Sequence, residues 1–253
     1  MTSNEWQGRV VLITGTAGGQ GRAAALCFAA AGAHVIGCDL NTDGNQETER
    51  QVKATGGSIV TMAPVDLGDA AQAKAWIEAA AAVHGRVDVL YNNASAARFA
   101  PFEQFSLDDW RFTIRNELDI VFHTTRYAWA WLQRQGGVVI NTASVAGLAG
   151  SGPGGAAHAA SKGAVIALSK QLAVEGAPHG IRVVTISPGL VDTPGTATLM
   201  QQPSARDAIL AGNLIKRAGT SDEVVQAALF LASNAAAYIT GANLVIDGGR
   251  LAW

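Results

Sequence analysis

With 253 residues, 18 basic against 20 acidic side chains and a formal charge of −2, the chain offers no electrostatic reason to expect nucleic acid or an anionic membrane as a partner. Hydrophobic residues make up 49% and charged residues 15%, the composition of a well-buried globule and not of a disordered segment. No apolar run approaches the roughly 18 residues of a membrane span, so no membrane association is expected.

The opening MTSNEWQGRVV has neither a basic leader nor an apolar core, which points to a cytoplasmic protein. Short runs rich in β-branched residues then alternate with Ala-rich amphipathic stretches. RVVLIT (9–14), HVIGC (34–38), SIVTMA (58–63), RVDVLY (86–91), VVINTA (138–143), IRVVTIS (181–187) and NLVID (243–247) read as strands. The first six are almost continuously apolar, as strands covered on both faces are. Helical segments such as 21–33, 70–85 and 161–180 lie between them, with Gly32, Gly85 and Gly180 placed to cap their ends. Cys27 and Cys38 have no metal or redox spacing and are expected to pack as small apolar groups. Trp76, Trp129 and Trp131 are expected to pack on helices, and Trp253 to fray or to reach a neighbouring subunit.

This alternation over residues 1–253, without linker or repeat, predicts one α/β domain: a doubly wound, seven-stranded parallel sheet of Rossmann type with helices on both faces. Two stretches fit no element. GLAGSGPGG (147–155) has five glycines in nine residues, and 190–213 holds Pro194, Pro203 and a short helical piece. Both follow strands, so both stand at the carboxyl edge of the sheet, where ligands bind; the second is expected to act as a substrate lid.

TGTAGGQG (14–21) follows the first strand and opens the first helix. Its Gly15, Gly19 and Gly21 permit a tight turn and close approach of backbone to a phosphate at a helix N-terminus. Asp39 ends the second strand and is suited to accept from both hydroxyls of a ribose. A carboxylate there repels a 2′-phosphate and no Arg or Lys lies within 14–21, so NAD is the expected cofactor in preference to NADP. No His, Asp or Glu cluster has metal-ligand spacing, and no catalytic metal is expected.

Further motifs follow in order: Asp66 in PVDLGD, NNAS at 92–95, Asn116 in RNELDIVF, Ser144 in INTASVAG, Lys162 in HAASK, PGLVDT at 188–193 and the final GANLVIDGG. Together with TGTAGGQG they resemble a short-chain dehydrogenase/reductase over essentially the whole chain. The resemblance implies an oxidoreductase acting on a small-molecule alcohol or ketone. It carries a cofactor site onto Gly15, Gly19, Gln20, Gly21, Asp39, Leu40, Asp66, Leu67, Asn92, Ala94, Thr142, Lys162, Pro188, Gly189, Val191 and Thr193. It also implies a homotetramer, consistent with the apolar C-terminal strand and two long Ala-rich helices at 106–134 and 156–177.

The largest departure lies in HAASK. The family has YxxxK there, its Tyr being the proton donor or acceptor; His158 stands in that place and Lys162 is retained. The i,i+4 spacing keeps both on one helix face, and imidazole gives and takes protons near neutral pH. Like charge from Lys162 and from an oxidised nicotinamide favours neutral imidazole, a base suited to alcohol oxidation. The expected catalytic set is Ser144 on the substrate oxygen, His158 moving its proton directly or through water, Lys162 on the nicotinamide ribose, and Asn116 supporting a water chain. Ser95, where the family has Gly, is expected to narrow the pocket beside that ribose. Arg98 is expected to be solvated or to meet an anionic group. Ser95 to Phe99, Val145 to Gly155 and the lid suggest a modestly sized, largely apolar secondary alcohol or ketone. Two alternatives stand beside this reading: imine reduction at the same site, and a NAD(H)-binding sensor that has lost turnover with the Tyr.

Overall fold

The first strand, β1 (Val10–Thr14), shows why the apolar runs are continuous: Val10 and Leu12 enter the hydrophobic cluster on one side of the sheet, Val11 and Ile13 the cluster on the other. The same holds for the strands beside it, so each residue of the pleat meets a covered face. In this computed structural model residues 5–150, 152 and 154–252 are described. The expectations for residues 1–4, for Ser151 and Pro153 in the glycine-rich stretch and for Trp253 lie outside them.

Six further strands follow: β2 (His34–Cys38), β3 (Ser58–Met62), β4 (Val89–Asn92), β5 (Gly137–Thr142), β6 (Ile181–Pro188) and β7 (Asn243–Ile246). All pair in parallel, in the order β3-β2-β1-β4-β5-β6-β7. Helices α1 (Gly19–Ala30), α2 (Thr42–Ala54), α3 (Ala70–His84), α4 (Leu107–Ile114), α5 (Ile120–Leu132), α6 (Ala156–Gly176), α7 (Ala197–Met200), α8 (Pro203–Ala211) and α9 (Ser221–Ala232) complete the chain. Phe28 of α1, Val52 of α2 and Leu229 of α9 enter one core; Trp76 of α3, Leu132 of α5 and Val165 of α6 enter the other. This is the expected doubly wound sheet. Order reverses between β1 and β4, which opens a crevice at their carboxyl ends.

Local differences from the sequence expectations have local causes. β4 starts at Val89, and the carboxylate of Asp88 before it accepts the Val10 N–H at 2.8 Å and is held by Arg86. Helix α6, by contrast, begins at Ala156 as expected, with His158 inside it. The expected 106–134 helix is interrupted over Arg115–Asp119 by one wide turn, in which the Ile120 N–H reaches back to the Arg115 carbonyl. The 190–213 stretch carries more helix than expected, including α7 and α8. Cys38 is buried and Cys27 partly so, both as free thiols. No helix among the described residues is long and apolar enough to cross a membrane.

Candidate active site

The crevice widens into a cavity of about 560 Å³. Its lower wall is the turn between β1 and α1. Gly15 has φ +77°, and a Cβ on it would lie 2.9 Å from the Ala94 Cα; a Cβ on Gly21 would lie 1.9 Å from the Gly15 carbonyl oxygen. Only glycine lets the strand, the turn and the loop after β4 close so tightly. No side chain caps α1 and no acid sits in its first turn, so its leading N–H groups remain available to an anion.

Asp39 lines the cavity just beyond β2, accepting the Ala17 N–H at 2.8 Å and the Asn41 N–H at 2.9 Å. These two donors fix the carboxylate while leaving lone pairs free for hydroxyls. Arg22, which follows the glycine turn directly, is engaged by other groups: its guanidinium donates to the Ala17 and Gly44 carbonyls and to Thr48. Asp66 accepts from Arg115 at 2.7 Å and from the Gly68 N–H at 3.0 Å, fixing the Val65–Gly68 wall. Gln20 Oε1, in another lining residue, is buried without a partner among the described residues. A bare helix N-terminus, a fixed carboxylate beyond β2 and an unpaired buried acceptor suit an elongated ligand with phosphates and ribose hydroxyls. The residues present therefore fit a nicotinamide dinucleotide.

At the other end of the cavity Asn116, Thr142, Ser144, His158 and Lys162 come together. Ser144 caps the short 3₁₀ turn after β5, its Oγ accepting the Ala146 N–H at 3.2 Å. The wide turn between α4 and α5 frees the Asn116 carbonyl, which takes the Ala96 N–H at 3.2 Å, while the Asn116 side chain donates to the Phe112 carbonyl. Lys162 is buried on α6 and donates to the Thr142 carbonyl at 3.1 Å. Burial depresses its ammonium below the usual lysine range, and the charge of Glu117 pulls the other way.

Glu117 is the residue that sequence reading missed. It is 1% exposed, and His158 Nδ1 lies 2.9 and 3.0 Å from its two carboxylate oxygens. Ser95 donates to Oε1 at 2.7 Å, Ser161 donates to Oε2, and Lys162 Nζ is 3.7 Å from Oε1. Burial pushes the Glu117 carboxyl up; the hydrogen bond from His158, the charge of Lys162 and Ser161 outweigh it, so the group stays below the usual carboxylate range. The expected surroundings of His158 are thereby corrected: the charge in direct contact with its ring is a carboxylate, not Lys162. Ser95 lines the cavity, and its hydroxyl is engaged by Glu117. The available signal was the coincidence of two departures, NNAS and HAASK, with an acid beside Asn116.

Three expected cofactor residues do not line the cavity. Asn92 is buried in a network with Thr124, Thr125 and Asn141 that ties β4 to β5 and α5. Gly21 serves close packing under the turn, and Val191 sits in the core with α9 while its backbone pairs with Gly219. Asn93, beside Ala94, lines the cavity instead. The remaining expected residues, Gly15, Gly19, Gln20, Asp39, Leu40, Asp66, Leu67, Ala94, Thr142, Lys162, Pro188, Gly189 and Thr193, do line it. Arg98 stacks on the Phe112 ring at 4.6 Å, which accounts for its charge.

Comparison with known proteins matches residues 15–250 to the family model described as Enoyl-(Acyl carrier protein) reductase. The 3-oxoacyl-[acyl-carrier-protein] reductase of Thermotoga maritima is 36% identical over 244 residues, covering 96% of this chain and 98% of that protein. The D-threitol dehydrogenase of Mycolicibacterium smegmatis is 40% identical over 243 residues, covering 96% and 92%. The crystal structure of levodione reductase superposes with a TM-score of 0.93 at 31% identity, over 98% of this chain and all of that one.

Proposed function

The chain belongs to the short-chain dehydrogenase/reductase family, and from that premise we propose that it interconverts a small to medium, largely apolar secondary alcohol and its ketone with NAD(H), His158 moving the hydroxyl proton in place of the family's Tyr. The observation that carries this is the meeting of Ser144, His158 and Lys162 at one end of a cavity whose other end holds the Gly15–Gly21 turn and Asp39. The bound nicotinamide supplies hydride exchange at the substrate carbon. Ser144 donates its hydroxyl hydrogen to the substrate oxygen and holds it beside the imidazole. His158 accepts the alcohol proton in oxidation and returns it in reduction. Lys162 hydrogen-bonds the nicotinamide ribose, and Asn116 supports a water chain toward Lys162. The names of the relatives, which act on a polyol, an oxoacyl group and a diketone, support carbonyl–carbinol chemistry.

Cofactor turnover against a panel of alcohols, ketones and imines tests this reading. The carboxylate behind His158 also suits an imidazolium that protonates nitrogen, so turnover confined to imines would replace the carbonyl reading. Tight NAD(H) binding without any turnover would leave the sensor.

Asp39 supports NAD(H) over NADP(H). Asp39→Ala removes charge-assisted hydrogen bonds worth about 1.5–3 kcal/mol, so the Kd for NAD(H) is expected to rise about 10- to 100-fold. Affinity for NADP(H) should rise as the repulsion goes. Tighter wild-type binding of NADP(H) than NAD(H) in the same titration would overturn the preference. Residues 190–213, with Thr193 to Thr196 on the cavity wall, are proposed as the cover. Hydrogen exchange over this stretch should slow when cofactor and substrate are both added, and unchanged exchange would dismiss it.

A homotetramer is proposed from the apolar side chains left uncovered in one chain, among them Phe122 of α5, Val174 of α6, Tyr238, and Leu244 and Val245 of β7. Sedimentation at micromolar concentration should give a multiple of the chain mass; a monomer alone would refute it.

A further inference from the structure

Resting on the reading of His158 as the proton-moving group, we propose that Glu117 is its positioning residue: it holds the imidazole in the Nδ1–H tautomer and leaves Nε2 as the nitrogen that meets the substrate. The geometry is specific. Both carboxylate oxygens lie within 3.0 Å of Nδ1, and an ionised carboxylate accepts only, so the shared hydrogen sits on Nδ1. Among the described residues Nε2 has no protein partner, and the ring lines the cavity with Phe99 packed at 5.6 Å.

Glu117 is itself held. Ser95 and Ser161 occupy one oxygen each, and Lys162 stands 3.7 Å from the first. With its lone pairs taken and 1% of its surface exposed, Glu117 is not free to act on a substrate directly. Its effect passes through the ring. The arrangement has a physical purpose: a Tyr hydroxyl has one orientation toward the substrate, whereas an imidazole has two tautomers and two ring flips. A carboxylate at Nδ1 selects one of each and stabilises the imidazolium formed when the proton arrives, as the buried acid does behind the histidine of a serine hydrolase.

The charged groups facing the pair are few. Lys162, one turn along α6, is the cation beside Glu117. The acids and the arginine of α4, which packs against α6, are engaged at the surface: Asp108 with Arg111, and Asp109 with Ser106.

Histidine nitrogen NMR of ¹⁵N-labelled wild type, with His158→Ala for assignment, reads the tautomer without turnover. Nδ1 protonated and Nε2 bare at alkaline pH is expected; the reverse would overturn the proposal. Glu117→Gln keeps the acceptor and removes the charge. Alcohol oxidation by it should fall by about 10- to 10⁴-fold, the upper figure being the cost when such a ring takes the wrong tautomer. The acid limb of its pH profile should move to lower pH, because a protonated ring no longer has its counter-charge. An unmoved limb with an undiminished rate would also overturn the proposal. Should the wild type turn over no alcohol or ketone, the functional reading fails, while the NMR tautomer still decides whether Glu117 positions the ring.

Discussion

His158→Ala is expected to lower kcat for alcohol oxidation by about 10²–10⁴, the usual worth of a positioned acid or base, while the Kd for NAD(H) stays nearly unchanged. The separation follows from position. His158 lies at the substrate end of the cavity, whereas Gly15, Gly19 and Asp39 form the far end. Ser144 and Lys162 remain in the variant, so what is lost is the proton acceptor and with it the acid limb of the pH profile. Steady-state kinetics with a fluorescence titration of NADH measures both quantities. Full activity in the variant would pass the proton role to another group and end the mechanism given above. His158→Tyr restores the family's residue, yet it is expected to reduce the rate as well. A phenol ring has no nitrogen to meet the Glu117 carboxylate, which would keep Ser95 and Ser161 but lose the partner 2.9 Å away. A rise in ketone reduction by His158→Tyr would mean that the pocket is an ordinary tyrosine site weakened by imidazole.

The second large effect is on stability. Glu117→Leu removes the counter-charge of Lys162, whose side chain is 4% exposed and whose Nζ lies 3.7 Å away. Breaking a buried pair by deleting one member costs about 3–5 kcal/mol, because the other charge stays buried without compensation. Urea unfolding at neutral pH should register a loss of that size. The sign of its pH dependence is fixed by Glu117 titrating below the usual carboxylate range when folded, where its hydrogen bond to His158, Lys162 and Ser161 outweigh burial. A depressed carboxyl contributes fully above its unfolded value of about 4.3. That contribution fades as pH falls through the folded value, so wild type and variant should converge in acid. A difference below about 1 kcal/mol at neutral pH would mean that Lys162 needs no counter-charge.

The strands were legible because burial on both faces writes a continuous apolar run, and RVVLIT or IRVVTIS admits little else in a chain of alternating helices. Glycine punctuation marked the turn between β1 and α1 for a related reason, since the contact of Gly21 with the Gly15 carbonyl tolerates no side chain. Ser144, His158 and Lys162 were legible through short-range spacing and through resemblance. The network of Asn92 was not legible, because its partners Thr124, Thr125 and Asn141 lie on other elements and meet it only in three dimensions.

What the sequence determined by itself, then, is the doubly wound sheet, the edge where the cavity lies, and the residue types that line it, all consequences of periodicity and backbone sterics acting within a few residues. Only the tertiary structure decided which charge touches His158. Glu117 and His158 are 41 positions apart, and on an ordinary helix an acid beside Asn116 reads as part of a solvated face. The wide turn at Arg115–Asp119 changes the angular position of the residues within it, and both Asn116 and Glu117 are buried there, against the loop after β4 and against α6. A one-residue change in helical register has no signature in composition or hydrophobic period, so the partner of the imidazole emerges only when α6 packs against that turn.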